Sequence, residues 1–158
     1  MNNYQLTCIL SSCTYTRNLN YLVCAKDGLP SKVEKKPTII IMNDENSTKP
    51  GRHWVCVFIP KKGECCFFDS LGKSPLTYSE HLHNLMLSIY PRYYCNKFSY
   101  QAIDSNSCGK FCLYFVISRA KGLSVEKILN SLCHSNKYVN ESLIAIFYGK
   151  VKKSCNYN

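Results

Sequence analysis

At 158 residues the chain has room for one hydrophobic core and not for two ordinary ones. Its apolar content of 46% and charged content of 19% exclude a disordered polar chain. Its longest apolar runs fall well short of the roughly 20 residues that span a bilayer. Lysine and arginine outnumber aspartate and glutamate 20 to 10, a net charge of +10 that either draws the protein to polyanions or simply keeps it in solution.

The first fifty residues are the least periodic. Residues 38–42 (Thr-Ile-Ile-Ile-Met) read as a buried strand of β-branched side chains. Residues 43–51, rich in Asn, Asp, Ser, Pro and Gly, read as a loop. Residues 53–59 are apolar on both faces after His53, the pattern of a central strand. Lys61-Lys62-Gly63 turns the chain, and residues 64–69 return as the other arm of a hairpin. That pairing brings His53 and Asp69 to the same edge of the sheet. Ser79 is placed to cap a helix carrying Leu82, Leu85, Met86 and Ile89, which ends at Pro91. Residues 92–101 alternate enough aromatics for a third strand with Gln101 at its exit. After a polar turn at 104–107, with Ser107 as N-cap, residues 108–120 are apolar nearly all round, as in a buried central helix. Helices over 124–133 and 140–151 complete the chain. The fold class is therefore α+β: a central mixed or antiparallel sheet packed on a buried helix that carries Cys108 at its N-terminus, with further helices around it. We read residues 1–158 as one domain, with a core over 38–120 and a helical C-terminal part over 121–158.

Eleven cysteines without a regular framework point to reduced thiols used as small core hydrophobes. No pair of Cys-x-x-Cys units offers a zinc site. Cys65 and Cys66 must point to opposite faces of their strand, and His81 and His83 cannot share a helix face. The first residues, Met-Asn-Asn-Tyr-Gln-Leu, lack the basic and apolar regions of a secretory leader, so an intracellular location is expected. Lys32, Lys35, Lys36, Lys49 and Arg52 precede His53, Lys61 and Lys62 follow it, and Lys150, Lys152 and Lys153 lie near the end. No helix-turn-helix, zinc-finger or RNA-binding aromatic motif accompanies them.

Four residues carry chemistry. Cys108 would sit in the first turn of its helix, where unpaired N–H groups and the macrodipole favour a thiolate. Gly109 leaves space for a substrate carbonyl. His53 is the candidate general base, Asp69 the group that orients its ring, and Gln101 an amide donor to a developing oxyanion, joined by the backbone N–H of Cys108. Each has a plain structural alternative: a core thiol, a strand-start histidine, a turn aspartate and a polar loop glutamine. Their joint order favours the chemistry.

The run Gly-Arg-His-Trp-Val, then Phe-Phe-Asp-Ser-Leu-Gly, then Gln-x6-Cys-Gly-x2-Cys resembles the adenovirus protease (adenain) family of cysteine peptidases, in the broad group that includes SUMO-specific proteases. The likeness covers about residues 20 to 120. It implies Cys108 as nucleophile, His53 as base, Asp69 as orienting acid, Gln101 as oxyanion donor and Trp54 as a groove wall. It also implies cleavage after small residues, commonly glycine. An Asp stands where adenovirus proteins carry Glu, and the stretch between it and Gln101 is shorter. Adenovirus enzymes are activated by DNA and by a disulfide-linked viral peptide. Cys95 lies on the corresponding strand but closer to Gln101 than the family's partner cysteine. Short enzymes of this kind are typical of virus-like DNA transposons and related viruses.

The expected function is therefore a cysteine endopeptidase that matures virion proteins. It needs no cofactor or metal, acts as a monomer on capsid or virion precursors, and works in the host nucleus or the virion. DNA or a viral peptide is its possible activator, and DNA its possible partner, with no membrane partner. The alternatives are a SUMO-type isopeptidase, a catalytically inactive basic binding module, and a nucleic-acid-binding protein.

Overall fold

The computed structural model describes residues 1–133 and 135–154. Its centre is a five-stranded mixed sheet made of β1 (Asn20–Cys24), β2 (Thr38–Asn43), β3 (Trp54–Ile59), β4 (Cys65–Phe68) and β5 (Tyr93–Cys95), in that spatial order. The two outer pairings are parallel and the two inner ones antiparallel. The central strands are buried on both faces because both faces are covered. Alternation sends Ile39, Ile41, Trp54, Cys56, Phe58, Cys66 and Phe68 to one core, and Ile40, Met42, Val55, Val57, Ile59, Cys65 and Phe67 to the other. Cys65 and Cys66 thus do face opposite ways.

Helices α1 (Asn3–Ser12), α3 (Cys108–Ala120), α4 (Val125–Asn130) and α5 (Lys137–Ser154) enclose the first core. Helix α2 (Glu80–Ile89) seals the second through Leu82, Leu85 and Met86. Ser79 caps α2 by accepting from Leu82 N at 3.1 Å. Helix α3 is buried on nearly every side, with Phe111, Cys112, Leu113, Phe115 and Val116 fully inaccessible. The Phe115 ring stacks on Phe68 with centroids 4.7 Å apart, fixing the helix against the sheet.

Several expectations are corrected. Helix α1 and strand β1 occupy the stretch that shows no periodicity. Helix α1 begins with a capping box between Asn2 and Gln5. The third strand is much shorter than residues 92–101, because Asn96 leaves the ladder. Its side-chain amide accepts from Asp69 N at 2.9 Å and donates to Asp69 O at 2.7 Å. Gln101 therefore sits on a loop, not at a strand exit. Ser107 occupies the N-cap position of α3 but makes no side-chain cap bond. Helix α4 is shorter than residues 124–133, and α5 begins at Lys137, before residue 140.

The ten described cysteines are free thiols, seven of them buried; Cys155 lies outside the described residues. Among the described residues no cluster of His, Cys, Asp and Glu could hold a metal. No helix among them is long and apolar enough to cross a membrane. His81 and His83 go separate ways, to Pro30 O and to the Tyr93 hydroxyl.

Candidate active site

The sheet brings His53 and Asp69 together across the β3–β4 hairpin. His53 immediately precedes β3, and Asp69 immediately follows β4. The backbone of His53 is pinned by Asp44, whose Oδ1 accepts from the N–H groups of Arg52 and His53, each at 2.9 Å. The Asn43 amide packs against Gly51, where a Cβ would fall 1.6 Å from Asn43 Oδ1 and displace that side chain. So held, the His53 ring places Nε2 2.6 Å from Asp69 Oδ1.

Asp69 is fully buried and well supplied with donors. Leu71 N reaches Oδ1 at 3.0 Å, and Lys73 N and the Tyr78 hydroxyl reach Oδ2 at 2.7 and 2.9 Å. These bonds offset the cost of burying a carboxylate. Tyr78 also stacks on the His53 ring, with centroids 5.6 Å apart. Its phenol is pushed far up by burial and by Asp69, so it stays a neutral donor.

Cys108 opens α3 beside the His53 ring and helps to hold its proton. With Nε2 engaged by Asp69, Nδ1 is the nitrogen left for the thiol. Burial alone would pull the His53 imidazole below its ordinary 6.5. The hydrogen bonds to Asp69 and Cys108, with the charges of both, instead raise it to about 9. A ring charged at neutral pH beside a thiol at a helix N-terminus is an arrangement that can hold a thiolate. Cys108 keeps 6% of its surface exposed, while Cys112, one turn on, keeps none. The Cys112 thiol is driven well up by burial and donates to Trp54 O at 3.3 Å, tying α3 to β3.

Gln101 is reached through the residue after Asp69. Ser70 Oγ donates to Gln101 Oε1 at 2.6 Å, and Ser70 O accepts from Tyr100 N and Gln101 N at 2.8 and 3.0 Å. Gln101 Nε2 donates one hydrogen to Ser105 O at 2.7 Å, which fixes the amide's orientation and leaves its second hydrogen. As the first residue of α3, Cys108 has a backbone N–H with no intrahelical acceptor.

Trp54 and Gly109 form one side of this centre. A Cβ on Gly109 would meet Met1 Sδ at 3.0 Å and Trp54 Cδ1 at 3.4 Å, so Met1 and Trp54 close over that glycine as a narrow slot. Trp54 Nε1 donates to Met1 O at 3.1 Å. Trp54 is a core aromatic, 6% exposed. Beyond it lies a cavity of about 440 Å³ whose lining includes Asn2, Asp27, Ser47 and Lys49. Residue patterns alone gave no sign of Asp44, Ser70, Tyr78 or Met1, because their roles depend on spatial contacts. Cys95 is half-buried, and burial and Asp69 raise its thiol to about 11, so at neutral pH it offers little thiolate.

No family model matches the chain. Curated relatives are a cysteine protease of African swine fever virus, 25% identical over 101 residues (58% of this chain, 37% of that protein), and one from another isolate named a SUMO-1 cysteine protease, 25% identical over 113 residues (63% and 41%). The chain is a distant homologue of this viral cysteine protease. The match spans about two fifths of the viral protein's length. Crystal structures of the pS273R protease of the same virus superpose with TM-scores of 0.41 and 0.44 at 21% identity. They cover 58% and 63% of this chain and 36% and 40% of the viral one. At the level of distant homology, the relationship bears out the resemblance carried by the His-Trp and Cys-Gly motifs.

Proposed function

We propose that the chain is a cysteine endopeptidase whose nucleophile is Cys108, with His53 as general base and acid, Asp69 as orienting carboxylate and Gln101 as oxyanion donor. The observation that carries this reading is the buried His53–Asp69 pair at 2.6 Å, with Cys108 beside the same ring at the start of α3. The Cys108 thiolate attacks the scissile carbonyl carbon. The carbonyl electrons move onto oxygen, which accepts from Gln101 Nε2 and Cys108 N. Collapse of this intermediate breaks the C–N bond, and the His53 imidazolium gives its proton to the departing amine. Neutral His53 then takes a proton from water, which attacks the thioester. The acid leaves, and the thiolate and imidazolium are restored.

The slot between Met1 and Trp54 over Gly109 supports a preference for glycine next to the cleaved bond. The substrate class we propose is capsid or virion precursor protein, processed inside the host nucleus or the particle of a virus or virus-like transposon. This chemistry requires no cofactor. Activation by DNA or a viral peptide is part of the same proposal, read out by adding each to the assay. One relative's name as a SUMO-1 protease favours a second reading, removal of a ubiquitin-like modifier after its terminal Gly-Gly.

The test is intact mass after treatment with an electrophilic peptide probe ending in Gly-Gly, beside Cys108→Ala. One adduct on the parent and none on the variant is expected. No adduct, with DNA and candidate viral peptides also present, would put an inactive binding module in its place.

A further inference from the structure

We infer that Glu141, on α5, is a positioning residue that sets the spacing of the two oxyanion donors; the inference rests on the peptidase reading above. Its two carboxylate oxygens grip the residues that flank those donors. Glu141 Oε1 accepts from Ala102 N, directly after Gln101, at 3.0 Å. Glu141 Oε2 accepts from Ser107 Oγ, directly before Cys108, at 2.5 Å. One rigid planar group therefore spans the loop from Gln101 to Cys108 and holds its two ends.

The neighbouring residue reinforces the clamp. Asn140 is buried, donates to Tyr100 O at 2.9 Å and to Cys133 O at 2.6 Å, and accepts from Cys133 N at 2.7 Å. Within the loop, Ser105 bonds Ser107 twice: its Oγ accepts from Ser107 N at 3.1 Å and pairs with Ser107 Oγ at 2.7 Å. Ala102 and Ser107 are buried at the ends of the loop, but at its crown Ile103 is 96% exposed, so core packing alone does not set the path between them. Side-chain hydrogen bonds from α5 join those ends. Ser107 makes no cap bond to α3 because its hydroxyl is given to Glu141.

None of these contacts involves the His53–Asp69 pair. Glu141 therefore acts on stabilisation of the tetrahedral intermediate and not on formation of the thiolate. Two reactions of the same thiol separate the effects. Alkylation by iodoacetamide displaces iodide and develops no oxyanion, whereas hydrolysis of a Gly-Gly aminomethylcoumarin amide does.

Glu141→Ala should lower kcat for the amide by roughly 10- to 100-fold, the scale of a misplaced catalytic donor, with KM little changed. The alkylation rate of Cys108 should stay at the parental value. Glu141→Gln should recover most of the loss, because its carbonyl can accept from Ala102 N and its amide can donate to Ser107 Oγ. Ser107→Ala, which removes one arm of the clamp, should fall between parent and Glu141→Ala, and gives the same test should Glu141→Ala not fold. Parental amide hydrolysis in Glu141→Ala or Ser107→Ala, or alkylation falling in step with hydrolysis, would overturn the inference. Hydrolysis that survives Cys108→Ala would instead remove the peptidase reading and this inference with it.

Discussion

Asp69 and Ser70 are adjacent in the chain and hold separate parts of the candidate site: Asp69 Oδ1 lies 2.6 Å from His53 Nε2, and Ser70 Oγ donates to Gln101 Oε1 at 2.6 Å. One turn at the end of β4 thus orients both the ring that would move protons and the amide that would meet the oxyanion.

Ser70→Ala should cost activity without touching the thiol. Losing its hydroxyl frees the Gln101 amide to rotate, and we expect kcat to fall by about 10-fold or more, less than the roughly 10²–10³ expected for Gln101→Ala. Steady-state kinetics on a Gly-Gly amide substrate reads both. Equal rates for the Ser70 variant and its parent would show that Gln101 is held well enough by Ser105.

The pH profile follows from the raised His53. The charged ring partners the thiolate and supplies the leaving-group proton, so kcat/KM should decline on the alkaline side with a midpoint near 9. The folded value lies above the ordinary 6.5, so the pair's contribution to stability is whole below about 6.5 and fades as pH rises through about 9. Unfolding of parent and His53→Ala, compared at about pH 6 and about pH 9.5, should show the larger gap at the lower pH. A larger gap at the higher pH would contradict the sign.

Gly109→Ala should narrow the slot beneath Met1 and Trp54, where the added methyl sits 3.0 Å from Met1 Sδ. We expect kcat/KM for a Gly-Gly peptide to fall by roughly tenfold or more, in line with a small misplacement of substrate. Iodoacetamide, small enough to avoid the slot, should still label Cys108 at the parental rate. Loss of labelling as well would mean that the glycine supports the helix start and not the substrate.

Gly72→Ala is expected to destabilise the fold. Gly72 has φ of +75°, and a Cβ there would lie 2.7 Å from the Phe98 carbonyl carbon. The left-handed backbone alone costs a non-glycine residue about 1–3 kcal/mol, before the Phe98 backbone has to move. A lower urea midpoint checks this, and activity should drop too because the same turn presents Leu71 N and Lys73 N to Asp69.

The sheet and the central helix were legible for physical reasons. Strands β3 and β4 carry apolar side chains at every position, which only a doubly covered strand can bury, and the short Lys61–Gly63 turn leaves an antiparallel hairpin as their natural pairing. The start of α3 at Cys108 is marked by a polar turn giving way to an apolar run. The meeting of His53 and Asp69 follows from that hairpin. Helix α1 and β1 were not legible, because their apolar residues follow no clean period. The aromatic alternation over 92–101 mimicked a strand, and only the Asn96 side chain, by taking both backbone groups of Asp69, ends β5 early. The links from Ser70 to Gln101 and from Glu141 to Ala102 span 31 and 39 residues, and such pairings leave no trace in local spacing.

The depth of Cys108 has a consequence for what can be cut and when. Cys108 has 6% of its surface exposed, with Met1 and Trp54 close over the neighbouring Gly109, so on the peptidase reading a substrate would have to reach the sulfur as an extended strand. A scissile bond inside a helix or a sheet would be refused whatever its sequence. A peptidase built this way would act as a gauge of local order, severing tails and linkers and sparing folded domains. The timing of each cut would rest with the target, set by the moment at which assembly leaves a segment exposed. Placing one cleavage sequence in a tail and in a folded helix of the same carrier protein, and comparing the rates, would measure that selectivity directly.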